Sequence, residues 1–291
     1  MNFKDWEDAE RVDIPDEVYH SAPRIKMSRR AIIKGMAAGT VVPIAAGCVT
    51  NPVTGQNQFI LVGNSQLASM SAAAWSEMRQ QTPEVRDPAL RRRVMNVWER
   101  TANGRSDFLN TAYNPNDWEV AIFDTDDVNA FVMPGQQVGI YRGITELTEN
   151  DDQLASVLGH EAGHVDGRHS AERASLQLGS QVVMTAGAIA ITSNDELAQY
   201  GGTIAALGGA ALQFGVLLPY SRRHELEADR LGVDYMHAGG YDVSQSIRLW
   251  ELMDAQSAGQ RPPEWMSTHP NPGRRADELR NYINARGYAL V

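Results

Sequence analysis

The chain has 291 residues, a formal net charge of −10 and one cysteine. An acidic surface of this kind disfavours nucleic acid and argues against acidic polymers as substrates, and a lone cysteine excludes a disulfide within the chain. The length is enough for one sizeable core after removal of a short leader.

Residues 1–26 are rich in acids, among them Asp5, Glu7, Asp8 and Glu10, and read as an N-terminal extension or a misassigned start ahead of Met27. Ser28-Arg29-Arg30-Ala31-Ile32-Ile33-Lys34, followed by a mildly apolar run from Gly35 to Gly47, matches a twin-arginine export signal over 27–47. Gly35, Gly39 and Pro43 make the run a poor membrane span, and it is too short for one. The expected location is therefore a bacterial periplasm or cell envelope. Ile44-Ala45-Ala46-Gly47-Cys48 resembles a lipoprotein processing site, with Cys48 as a lipid anchor to a membrane; the plainer reading is a chance cysteine after a cleavage site.

Beyond the leader, residues 48–291 read as one domain. Leu67 to Gln80 and Pro88 to Thr101 predict helices, the second with Asp87 as N-cap and Pro88 at its first position. Trp118 to Phe123, Ala130 to Met133 and Gln137 to Tyr141 predict short strands. A helix is then expected from Thr148, which caps it with Asp151 three residues on, and its periodic Leu154, Val157 and Leu158 carry it to about Arg168. Further on, Val182 to Thr192 and Ile204 to Leu218 are apolar and predict a buried helical pair, each too short to cross a bilayer.

The chemistry lies in the later half of the predicted 148–168 helix, at His160-Glu161-Ala162-Gly163-His164. In an HExxH run the two histidines share one helical face and can reach one zinc ion, while the Glu lies beside the open coordination position as general base. A catalytic zinc needs a third protein ligand. His169 offers one, as in the metzincin extension, but stands one residue too early. The segment Ser221 to Asp229 offers the other, because Glu225 and Asp229 share a helical face. One carboxylate could bind the metal while the other accepts the free ring N–H of a ligating histidine; we take Glu225 as ligand and Asp229 as the acceptor. The plainer readings are a solvated Glu225 and an Asp229 paired with Arg222 or Arg223.

Four ordered stretches resemble the zinc endopeptidases that include HtpX, the CAAX prenyl endopeptidases and the mitochondrial overlapping-activity peptidase, most of all their soluble bacterial periplasmic members. These are Asn51-Pro52-Val53-Thr54-Gly55; Asn129-Ala130-Phe131-Val132-Met133-Pro134-Gly135; the zinc helix with Arg168-His169 and the Glu225/Asp229 pair; and Thr268-His269-Pro270 with Arg275. Gln136-Gln137 is more polar than that pattern. The resemblance implies an α+β, mainly helical zincin-like (gluzincin) peptidase domain with a small β-sheet beside the HExxH helix. It implies one Zn²⁺ per chain on His160, His164 and Glu225, and a metalloendopeptidase acting on misfolded or unfolded envelope proteins. It also places His269 over the metal, with His269 and Arg275 as candidate oxyanion donors and Asn129, Ala130 and Phe131 as an edge for an extended substrate. The plainer readings are a turn residue for His269 and the partner of an acid for Arg275. His169, His224 and His237 are read as structural or surface histidines. The rival function is a chaperone-like, non-catalytic zinc-binding protein, against which an intact Glu161 speaks, since holding a client needs no base.

Overall fold

The computed structural model describes residues 48–192, 218–257, 269 and 272–290, all within a compact unit that spans 42–291. The N-terminal extension, the expected export signal and nearly all of the apolar stretch 204–218 lie outside the described residues. In chain order come β1 (Cys48–Thr50), β2 (Asn57–Phe59), α1 (Asn64–Gln81), α2 (Pro88–Leu109), β3 (Glu119–Phe123), β4 (Ala130–Val132), β5 (Gln137–Tyr141), α3 (Arg142–Leu147), α4 (Asp151–Asp166), α5 (His169–Thr192), α6 (Leu218–Ala238), α7 (Ser244–Ser257) and α8 (Pro272–Arg286).

The described fold is mainly helical with two small sheets, β1–β2 and β3–β5–β4. Its axis is α4, buried on every side from Gln153 to Gly163, as a helix enclosed by other elements must be. Leu154, Val157 and Leu158 pack into a core with Val94 and Trp98 of α2, Ile122 and Ile140 of the sheet, and Met236 of α6. Each fully buried side chain of this size contributes ~1.5–3 kcal/mol.

Asp87 caps α2 as expected, accepting from the Ala89 N–H at 2.8 Å with Pro88 in the first turn. The helix runs past the predicted Thr101 to Leu109, because its buried stripe continues through small residues, Thr101, Ala102 and Ser106, that carry little apolar signal. The start of the central helix also differs from expectation. Thr148 ends α3, its N–H bonded to Ile144 O, and Asn150 is the N-cap of α4, its side chain accepting from the Gln153 N–H at 2.9 Å. The short helix α3 occupies the turn in which Thr148 would have acted.

Val182 to Thr192 is helical as the end of α5, yet Leu178 and Val182 are exposed, so the burial expected there is not found at its first residue. No helix among the described residues is long and apolar enough to cross a membrane.

The crossing of α4 and α6 depends on two glycines. A Cβ on Gly232 would stand 2.8 Å from the His160 backbone nitrogen, and one on Gly159 would stand 3.0 Å from Gly232 O. With no side chain at either position the two helices approach closely, which carries Glu225 and Asp229 up to the histidines of α4. Gly232→Val is expected to wedge the helices apart, at a cost of about 1–3 kcal/mol of stability together with weaker metal binding. Urea unfolding and zinc titration check this; unchanged values in both would mean that the crossing does not set the site.

Candidate metal centre

α4 projects His160 and His164 to one side, one turn apart, with their Nε2 atoms 3.0 Å from each other. From α6, Glu225 Oε2 lies 3.4 Å from His160 Nε2, and Glu225 Oε1 lies 3.6 Å from His164 Nε2. His269, just before α8, completes the group. Its Nδ1 is 3.1 Å from His160 Nε2 and 2.6 Å from Glu225 Oε2.

Ligands about 2.0–2.1 Å from one zinc ion stand roughly 3.3 Å apart at tetrahedral corners. The observed separations bracket that edge, and one donor atom from each of the four residues lies within 4.8 Å of all the others. Glu225 Oε1 is buried and has no hydrogen-bond partner among the described residues. A buried carboxylate oxygen with nothing to accept from is costly unless a cation meets it, so the donor set fits a metal.

Behind these atoms lies a charged support. Asp229 Oδ1 is 3.0 Å from His160 Nδ1, the nitrogen that faces away from the cluster. Asp229 is not paired with Arg222 or Arg223; its charge partner is Arg275, which grips it through Nε at 2.7 Å and Nη2 at 2.5 Å. The same guanidinium donates to Glu225 Oε2 at 3.1 Å and to the His269 carbonyl at 3.4 Å, and lies 3.8 Å over the Trp250 ring. Arg275 is thus buried behind the two carboxylates rather than aimed at the open side. This differs from an oxyanion donor and agrees with the plainer reading of an acid's partner.

The electrostatics follow from these contacts. Burial and the Arg275 cation push the His160 imidazole down, but Asp229 and Glu225 outweigh them and lift it to about 9. Burial opposes ionisation of Glu225, yet His164, His160 and His269 hold it well below the usual carboxylate range. His164 is driven well below the ordinary imidazole range, by burial first and then by its histidine neighbours, against the pull of Glu225. An anionic Glu225 and a bare His164 are the protonation states that metal binding requires, and the proton held by His160 is one that a bound metal would displace.

Glu161, on the same helix, is buried and its Oε1 lies 3.5 Å from His269 Nε2. Among the described residues β4 is an edge strand of its sheet, antiparallel to β5 with Phe131 opposite Gly139. The end of β4 and the end of the HExxH helix share a small, shallow cleft lined by Val132, Met133, Pro134, His164, Val165 and Arg168, among others. Cys48 is exposed at the start of β1.

Two features were not read from the sequence. The Asn51–Gly55 stretch is the turn of the β1–β2 hairpin and closes the C-terminal end of α4. Asn51 donates to Asp166 O at 2.9 Å and Gln58 to Gly167 O at 2.5 Å, satisfying carbonyls that a helix end leaves open. His169, set aside as structural, lies 2.7 Å from His164 through their Nδ1 atoms. His224 is buried with Glu172 at 2.8 Å; His237, as expected, stays outside the cluster, stacked on Tyr288. The one available signal for His169 was its place just after the motif, and spacing alone did not say whether it faces the metal or a ligand.

Two inward histidines of an HExxH helix, a carboxylate from a second helix and a small sheet alongside define a zincin-like peptidase domain. The chain belongs to peptidase family M48, whose pattern matches residues 88–283. It is 32% identical over 244 residues to the mitochondrial metalloendopeptidase OMA1 of Bos taurus, covering 80% of this chain and 45% of that protein. It is 32% identical over 168 residues to the mitochondrial metalloendopeptidase OMA1 of Schizosaccharomyces pombe, covering 57% and 47%. To the beta-barrel assembly-enhancing protease of Escherichia coli it is 27% identical over 255 residues, covering 87% and 51%. The chain spans about half the length of the curated relatives it matches.

Proposed function

We propose that this chain is a zinc-dependent endopeptidase, in a peptidase domain spanning 48–291, that hydrolyses peptide bonds of misfolded or unfolded cell-envelope proteins. The observation that carries the reading is the largely buried donor set of His160, His164 and Glu225, with Glu225 Oε1, unpartnered among the described residues, as one donor and Glu161 beside it. These three residues would hold one Zn²⁺, and Asp229 would fix His160 with its Nε2 toward the metal. When bound, zinc supplies Lewis acidity and makes water a nucleophile near neutral pH. Glu161 takes the proton of the attacking water and delivers it to the leaving amine. Arg275 holds Glu225 and Asp229 in place.

Asn129, Ala130 and Phe131, on the β4 side of the sheet, which is an edge among the described residues, would pair with an extended substrate through backbone hydrogen bonds, a mode that suits unfolded segments. The envelope assignment rests on the twin-arginine-like stretch and on the name of the Escherichia coli relative; Cys48 would add a lipid anchor to a membrane.

The test is digestion of one protein offered folded and offered unfolded. The zinc-loaded chain is expected to fragment only the unfolded form, to stop when a chelator removes the metal, and to resume when zinc is restored. Absence of fragments, or cleavage indifferent to the chelator, would overturn the reading.

His269 Nδ1 stands at a corner of the donor set, bonded to Glu225. We assign it the role of a latch that fills the fourth coordination position at rest, so His269→Ala is expected to raise turnover severalfold with zinc still bound. A fall in kcat would instead make His269 an oxyanion donor.

A further inference from the structure

Asp229 accounts for one metal-facing histidine. For the other, the fold supplies a longer arrangement. His164 Nε2 faces the donor cluster, and its Nδ1 lies 2.7 Å from His169 Nδ1. The far nitrogen of His169, Nε2, lies 3.0 Å from Glu227 Oε2. His169 is buried, and Glu227 nearly so.

We propose that His169 and Glu227 form a positioning relay that holds His164 in the one tautomer able to bind a metal. The direction follows from donor and acceptor counting. Glu227 as a carboxylate only accepts, so His169 donates from Nε2. A neutral His169 then presents a bare Nδ1, which accepts from His164 Nδ1–H and leaves His164 Nε2 without a proton, pointing at the cluster. The reverse arrangement would put a proton on His164 Nε2, where the ion must bind, and would leave two acceptors facing each other at Glu227.

The surroundings are built for this geometry. The turn between α4 and α5 runs through Arg168, whose φ of 53° is uncommon for a residue with a side chain. A Cβ on Gly167 would stand 2.3 Å from His169 Nε2, so Gly167 leaves room for the ring. His224 stacks on His169 with centroids 4.3 Å apart, and His224 is held in turn by Glu172.

This inference rests on His164 being a metal ligand, and the experiment separates the two. In the zinc-loaded wild-type chain, long-range ¹H–¹⁵N correlation of the histidine rings is expected to show His164 protonated at Nδ1 and His169 at Nε2. A proton on His169 Nδ1 overturns the relay whatever the variants do. His169→Leu, which removes the acceptor, is expected to weaken zinc about 10–100-fold in competition with a chromophoric chelator, the scale of losing a partner of a metal ligand. His169→Asn, with an amide oxygen near the Nδ1 position, is expected to recover most of that loss. The zinc-free thermal midpoints of the two variants should match, so that affinity and not stability distinguishes them. Equal zinc affinity in wild type and His169→Leu refutes the relay and leaves the metal site standing, whereas a wild-type chain that binds no zinc refutes the site itself.

Discussion

Glu161→Gln is expected to remove nearly all hydrolysis while leaving the fold and the metal in place. The substitution keeps the size and planarity of the side chain within the buried length of α4, so packing around Ala162 and Leu158 is preserved. What is lost is the capacity to accept a proton, and positioned acid–base groups contribute about 10²–10⁴-fold to a rate. Turnover of an unfolded protein should drop by that factor, with stoichiometric zinc still present on metal analysis. Retained turnover would mean that another base does the work, and one titratable neighbour is His269, at 3.5 Å. A binding-only protein would be indifferent to the change, so the same variant separates an enzyme from a holdase.

Removing a proposed metal ligand should act on binding rather than on one step. Glu225→Ala deletes a donor, and the void is made worse by charge. Arg275 would keep Asp229 but lose its second carboxylate, and His160 and His269 would lose their shared acceptor at Oε2. Breaking a buried ion pair by removing one partner costs roughly 3–5 kcal/mol, so the variant is expected to be less stable as well as zinc-poor. His164→Ala is the cleaner companion, because His164 is not part of the Arg275 cluster. Both are expected to lose zinc affinity by more than the ~10–100-fold that accompanies loss of a ligand's partner. Equally tight, stoichiometric zinc in His164→Ala would remove that residue from the site.

The relay and the site differ in how much of each was legible along the chain. HExxH is local chemistry: its spacing follows from helix geometry, so His160, Glu161 and His164 are placed on one helix before any tertiary contact is known. The strand Gln137–Tyr141 and the cap at Asp87 were equally local and appear as expected. Glu225 and Asp229 were legible as a pair, since four residues on a helix return to one face, and the resemblance read from the sequence singled them out among nearby acids. Their division of labour was less legible, because it depends on which oxygen meets which ring nitrogen across the α4–α6 crossing. That crossing is decided by Gly159 and Gly232, whose missing side chains set the distance between helices.

Arg275 shows the limit most plainly. Its motif said that it belongs near the site, but a guanidinium can face a substrate or a carboxylate, and only packing on Trp250 with both acids in reach selects the second. The same holds for Asn51 and His169, read as a signature and as a spare histidine. Nothing within five residues of Asn51 reveals that it closes a helix 115 positions away. Residue types and their periodicity therefore determined the chemistry this chain can carry and the helix that carries it. The tertiary structure decided which polar atoms meet, because desolvated donors and acceptors must find partners, and those partners come from distant parts of the chain.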